Sequence, residues 1–176
     1  MSIKNLPIGE KYPEIINAVI EIPKHSRNKY EYDEKLDVIK LDRVMHSSLV
    51  YPADYGFVPE TRAEDGDHLD ILIFTGSPAM SGSFMEVRPI GVMHMTDGGV
   101  PDEKILAVQA NNPRYKEIKD VDDLREHTLT EIKHFFEQYK VLENKLVEID
   151  GFEGKEKALE IIKRTNEEYL KETDVP

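Results

Sequence analysis

Hydrophobic and polar positions alternate over short stretches in the first two-thirds of the chain and recur at helical spacing in the last third. Residues 15–22 place Ile16, Ala18, Ile20 and Ile22 on one face and Asn17, Val19 and Glu21 on the other, which predicts a strand. Residues 29–33 alternate as well, bringing Lys29, Glu31 and Asp33 together, and 23–28 reads as the loop of a hairpin joining these two runs. A third strand is predicted over 37–43, with Val38, Leu41 and Val44 as its apolar positions. The aromatic, proline-broken stretch 51–59 is expected to be extended but irregular. Residues 69–74 form a short, β-branched apolar run that predicts a buried strand, fed by a polar loop over 64–68. After a turn region over 75–82, a long strand is predicted over 84–95, bent at Pro89-Ile90-Gly91. A loop with two glycines follows over 97–102, then a strand over 103–110 with Ile105, Ala107 and Gln109 on one face. Such a series predicts a many-stranded antiparallel sheet, dense enough to close as a barrel.

Beyond residue 120 the period changes. Asp120 or Asp122 is positioned to cap a helix running to about Tyr139, with Leu124, Ile132, Phe135, Phe136 and Tyr139 on one stripe. A short strand is predicted over 145–149. A second helix is predicted over 153–170, with Ala158, Ile161, Ile162 and Thr165 facing inward. Residues 174–176 are expected to fray.

Composition narrows the class. At 176 residues the chain fits one domain with a real core, 1–176. No apolar run approaches the roughly 20 residues of a spanning helix, and residues 1–10 lack a secretion signal, so a cytoplasmic protein without a membrane partner is expected. Cysteine is absent, which excludes disulfides and thiolate metal sites. The formal charge of −12 disfavours nucleic-acid binding, which relies on Lys and Arg to neutralise phosphates. An acidic protein can still bind a phosphate compound if metal ions reverse the local field.

The chemistry concentrates around residues 65–70. Asp65, Asp67 and Asp70 precede or open the apolar run 69–74. Extended backbone would put Asp65 and Asp67 on one face and Asp70 on the other, unless the chain bends between them. Carboxylates that converge repel one another and call for cations. An all-oxygen set suits Mg²⁺, Mn²⁺ or Ca²⁺ rather than zinc. The EF-hand pattern fails, because Leu69, Asp70 and Gly76 fall where it needs Asp or Asn, Gly and Glu. Asp97 and Asp102 bracket the Gly98-Gly99 turn and bring the acids to five. Metal ions held there would lower the pKa of a shared water and stabilise in-line displacement at phosphorus. Lys29, Arg43 and Lys104 lie on predicted strands or their ends and suit the far side of a phosphate group. His127, Glu131 and His134 share one helix face, which reads as solvated. No Gly-rich phosphate loop, nucleophile elbow or His-Glu-x-x-His is present, so a metal-activated water is expected rather than a covalent nucleophile. Two alternatives are a Mg²⁺-dependent nucleotide pyrophosphohydrolase, for which no base pocket is legible, and a non-catalytic OB-type nucleic-acid module, which the charge opposes.

The chain resembles the soluble inorganic pyrophosphatases of family I, prokaryotic type. The resemblance rests first on the motif Asp-x-Asp-x-x-Asp before an apolar run, matched by Asp65, Asp67 and Asp70. It extends to Val19-Ile20-Glu21-Ile22-Pro23, Lys29-Tyr30-Glu31, Asp42-Arg43 and Tyr51-Pro52-Ala53-Asp54-Tyr55-Gly56. Met95-Thr96-Asp97, Pro101-Asp102-Glu103-Lys104 and the run from His134 to Lys140 complete it. The resemblance implies Mg²⁺-dependent hydrolysis of pyrophosphate to two phosphates, with several Mg²⁺ per site. It implies a mainly β, α+β fold: a five-stranded OB-type closed barrel with added strands and two C-terminal helices packed on it. It also implies that Asp65, Asp70 and Asp102 ligate the tightest metal, and that Asp97 shares another with Asp102. Glu21 and Glu31 would hold further ions, and Asp67 would be the general base. Lys29, Arg43, Tyr55, Lys104, Tyr139 and Lys140 would grip the phosphates. Members of this branch are usually homohexamers. Two departures stand at the site: Gly98 replaces a common acidic residue, and His68 replaces the usual Pro or Glu. Phe152 stands where many bacterial members carry Trp.

Overall fold

Nine strands and two helices follow one another in a computed structural model that describes residues 2–173. The strands are β1 (Ile16–Ile22), β2 (Asn28–Asp33), β3 (Val38–Val44), β4 (Asp54–Val58), β5 (Leu69–Phe74), β6 (Phe84–Asp97), β7 (Val100–Pro101) and β8 (Lys104–Gln109). Helix α1 (Glu126–Gln138), strand β9 (Val147–Gly154) and helix α2 (Lys155–Thr173) follow. The expected fraying at 174–176 lies outside the described residues.

The main sheet pairs β1 with β4, β4 with β5, β5 with β8 and β8 with β6, and β6 pairs in turn with β1. Strands β7 and β9 extend it from β6. One of these pairings departs from the expected antiparallel pattern: β5 and β8 run parallel, with Asp70 opposite Lys104. The intervening β6 supplies the long connection that a parallel pair needs. The expected hairpin between β1 and β2 does not form. Instead β2 pairs with β3 as a separate two-stranded sheet, while both edges of β1 are taken by β4 and β6. The stretch expected to be irregular at 51–59 contains β4, all five residues of which are buried.

Two apolar cores lie on opposite sides of the sheet. Ile16, Ala18, Ile20, Ile71, Ile73, Ile105 and Ala107 pack with Ala158, Ile161 and Ile162 of α2. Ile22, Leu72, Leu106 and Val108 pack with Phe135, Phe136 and Tyr139. Successive residues of β5 and β8 therefore enter different cores, which explains their unbroken apolar runs. Ile22 was expected beside Ile20 but joins the α1 core, because a bulge between Ile20 and Ile22 breaks the alternation at Glu21. Gly56 permits the tight β1–β4 approach, since a Cβ there would sit 1.8 Å from the Val19 carbonyl oxygen. The predicted bend in β6 is a register shift between Pro89 and Gly91.

Three apolar expectations on β3 fail. Val38, Leu41 and Val44 are 45%, 50% and 49% exposed, because the hairpin meets the α1 core through Tyr30 of β2, and β3 contributes to neither core. Asp120 does not start α1. It caps the short 3₁₀ turn Val121–Asp123, and its other oxygen accepts the Lys155 N–H at 2.9 Å, at the first residue of α2.

Candidate active site

A cavity of about 610 Å³ opens between the β2–β3 hairpin and the ends of β5, β6 and β8. Its wall contains seven acids singled out in the sequence: Glu21, Glu31, Asp65, Asp67, Asp70, Asp97 and Asp102. Lys29, Tyr55, Lys104, Tyr139 and Lys140 line it too. Arg43 is not on this wall. Its guanidinium lies 2.6 Å from Asp42 Oδ2 and 3.2 Å from Glu143 Oε2, one strand across from Lys29.

Local structure explains how distant acids reach one cavity. The chain bends through 64–68, with Gly66 at φ +90° and its N–H donating to the Ala63 carbonyl at 3.1 Å. That bend meets the condition set by extended spacing, so Asp65, Asp67 and Asp70 share the cavity. The Asp67 N–H donates to Asp65 Oδ1 at 3.0 Å, the side-chain turn that Asp commonly makes. Gly98 and Gly99 both have positive φ and reverse the chain after Asp97, while the Asp102 N–H donates to the Met95 carbonyl at 2.9 Å. The β1 bulge accompanies a buried Glu21, whose Oε1 accepts the Tyr32 N–H at 2.7 Å.

Charge at the centre is organised by Lys104. Its Nζ lies 2.7 Å from Asp70 Oδ2, 2.9 Å from Asp102 Oδ1 and 3.0 Å from Tyr55 Oη. Tyr55 Oη donates to Asp70 Oδ2 at 2.5 Å. Burial alone would lower the Lys104 pKa, but Asp70 and Asp102 outweigh it and hold the ammonium charged. Burial pushes Glu21 up to about 8, with Asp70 adding to the effect. Asp102 is raised by burial and by Asp70, against the pull of Lys104. Desolvation, then Asp65 and Asp70, raise Asp67. At the rim Lys140 pairs with Asp97, and Lys29 pairs with Glu31. Burial strongly raises the Tyr139 phenol, keeping it a neutral donor above the Lys140 ammonium, which lies 5.1 Å from its ring centre.

Among the described residues, no three Asp, Glu or His side chains already stand in a metal-ligating group. Lysines hold the central acids instead. The donor set nevertheless fits a hard cation: it is all oxygen, and Glu21, Asp67 and Asp102 are pushed toward neutrality by burial and by the neighbouring carboxylate of Asp70. The fit therefore lies in donor chemistry and field, while the ligand geometry is not preformed. The solvated reading of the α1 face holds for His127 and Glu131, which are exposed and 3.9 Å apart.

Sequence reasoning missed Glu34, Arg62 and His68, which line the same cavity. No spacing marks them, because Glu34 and Arg62 come from different loops and meet only in the fold. For His68 the one signal was its departure from the family pattern.

Acids grouped against lysines and tyrosines in one cleft equip an enzyme for a small polyanion. The family model described as inorganic pyrophosphatase matches residues 18–170. The inorganic pyrophosphatase of Synechocystis is 44% identical over 169 residues, covering 96% of this chain and 99% of that protein. Soluble inorganic pyrophosphatase 1 of Arabidopsis thaliana is 46% identical over 165 residues, covering 94% and 78%. Among solved structures, the Thermus thermophilus inorganic pyrophosphatase has a TM-score of 0.93 at 43% identity, covering 97% of this chain and 99% of that one. The Helicobacter pylori enzyme has a TM-score of 0.91 at 41% identity, covering 94% and 99%. The chain belongs to the inorganic pyrophosphatase family. It is accordingly an enzyme, an inorganic diphosphatase.

Proposed function

We propose that the chain hydrolyses pyrophosphate to two orthophosphates with Mg²⁺, using Asp67 as general base. The observation that carries this reading is the single cavity that gathers Glu21, Glu31, Asp65, Asp67, Asp70, Asp97 and Asp102 together with Lys29, Lys104, Lys140, Tyr55 and Tyr139. Asp65, Asp70 and Asp102 would hold the tightest ion, Asp97 with Asp102 another, and Glu21 and Glu31 further ions. When bound, Mg²⁺ would activate the attacking water and offset phosphate charge.

The chain's own groups do the rest. Asp67 accepts a proton from water as the water oxygen bonds to phosphorus, and the bridging P–O bond breaks to release phosphate. The raised pKa of Asp67 makes it a better proton acceptor than an ordinary Asp. Lys29, Lys104, Lys140, Tyr55 and Tyr139 donate hydrogen bonds to phosphate oxygens. Arg43 joins them by releasing Asp42 and Glu143.

The ring of strand pairings through β1, β4, β5, β8 and β6 supports an OB-type closed barrel. We read residues 1–176 as one catalytic domain, cytoplasmic and assembled as a homohexamer by resemblance to its family. No helix among the described residues is long and apolar enough to cross a membrane. The test is phosphate release from pyrophosphate and from ATP, each with and without Mg²⁺. Release from pyrophosphate in Mg²⁺ alone is expected. Release from ATP in preference would favour the nucleotide hydrolase, and none from pyrophosphate would end the proposal.

A further inference from the structure

Arg62 has no role in the assignments above, yet it ties three parts of the molecule together. Its backbone is fixed first. The Arg62 N–H donates to the Thr165 carbonyl of α2 at 2.8 Å. Two residues earlier, the Glu60 carbonyl accepts Asn166 Nδ2 at 2.7 Å. The segment entering the acidic loop is thus docked on the helix.

From that base the guanidinium forks. Nη1 donates to the Gly66 carbonyl at 2.7 Å and to Glu34 Oε1 at 3.3 Å. Nε donates to Glu172 Oε2 at 2.9 Å, and the Tyr169 ring centre lies 5.8 Å away. Gly66 sits between Asp65 and Asp67. Glu34 lies in the turn of the hairpin whose strand β2 carries Lys29 and Glu31, and it also lies 3.0 Å from His68 Nε2. The His68 ring stacks on Phe57 at 4.8 Å, and its Nδ1 is 2.9 Å from the Thr61 carbonyl oxygen.

The value of this fork is positional. Its partners Glu34 and Glu172 are about half exposed, so the ion pairs add little stability. The loop's other hydrogen bonds at this point are internal, Gly66 N–H to the Ala63 carbonyl, Ala63 N–H to the Asp67 carbonyl at 2.8 Å and Asp67 N–H to Asp65, and none of them reaches the hairpin. A planar guanidinium reaches the loop and the hairpin through Nη1 while Nε stays on the helix, a span of fixed directions that a single ammonium nitrogen does not cover.

We propose that Arg62 is a positioning residue for the hydrolysis. It holds the Gly66 carbonyl, and through it Asp65 and Asp67, in register with the hairpin that carries Lys29 and Glu31. This rests on the function proposed above.

The test compares wild type, Arg62→Ala, Arg62→Lys and Glu172→Ala by kcat and KM for pyrophosphate in Mg²⁺, and by amide hydrogen exchange over 63–68. Arg62→Ala is expected to lose about tenfold or more in kcat with KM changed by less than about threefold, as a misplaced reacting group does. Exchange over 63–68 should quicken while β5 and β8 stay protected. Arg62→Lys should recover only part of kcat, and it decides the matter if Arg62→Ala does not fold. Glu172→Ala, which removes only the helix arm, should keep kcat within about twofold on the same reasoning. The proposal is overturned if Arg62→Ala keeps wild-type kcat, if its exchange is unchanged, or if Glu172→Ala loses as much. A raised KM at constant kcat also overturns it, since Arg62 would then touch substrate. A wild type that releases no phosphate defeats the proposed function instead, and exchange alone then judges the clamp.

Discussion

Single residues in the cavity divide by whether their charge is already answered. Lys104 is almost wholly buried, at 2% exposure, and answers both Asp70 and Asp102. Removing it leaves two partly buried carboxylates facing each other. Lys104→Met should therefore destabilise the metal-free protein by about 3 kcal/mol, the low end for breaking a buried pair because both acids keep some solvent. Urea unfolding in EDTA measures this, and a midpoint equal to wild type would remove Lys104 as the internal counter-charge. Asp67 is different: it lies exposed at the loop, and the hydrogen bonds that fix it are made by its main chain, to Asp65 Oδ1 and to the Ala63 N–H. Asp67→Asn should lower turnover by about 10²–10⁴-fold, the usual worth of a general base, with the urea midpoint unmoved. Near-normal turnover would pass the base role to another group.

At the scale of elements, the site depends on the close β1–β4 contact and on the β1 bulge beside it. Gly56 stands opposite Ile20, immediately before the bulged Glu21. A methyl group at position 56 would collide with the Val19 backbone, which belongs to a paired strand and cannot swing aside as a side chain can. Gly56→Ala should lower the thermal midpoint by many degrees and displace Glu21. Circular dichroism melts compare it with Gly66→Ala, where space is open and the cost is confined to backbone strain at positive φ. If Gly56→Ala melted higher than Gly66→Ala, the tight strand approach would not be limiting.

For the molecule as a whole, the net charge of −12 and the gathering of acids at one cavity store repulsion that a cation relieves. A ligand that binds only the folded chain stabilises it by mass action. Free Mg²⁺ at about 100 times its dissociation constant should add about 2.7 kcal/mol to stability, seen as a raised melting temperature that EDTA reverses. Equal melting with and without Mg²⁺ would speak against the metal site, independently of any activity assay.

Alternation and spacing alone determined much of this protein. They marked strands over 15–22, 69–74, 84–95 and 103–110, each within a residue or two of β1, β5, β6 and β8, together with the bend at Pro89 to Gly91 and the inward face of α2, because burial on one side imposes a period on the residues themselves. Asp65, Asp67, Asp70, Asp97 and Asp102 with Lys29 and Lys104 were legible as an oxygen set beside cations, a chemical pattern before it is a shape, whereas Glu21, Glu31 and Lys140 were marked by the family resemblance. Only the tertiary structure decided who meets whom. It gave both edges of β1 to β4 and β6 and left Val38, Leu41 and Val44 exposed. It also set Lys104 between Asp70 and Asp102, and brought Glu34, Arg62 and Gly66 to one point. Contacts between residues far apart in the chain follow from strand pairing and loop closure, and neither leaves a period in the local sequence.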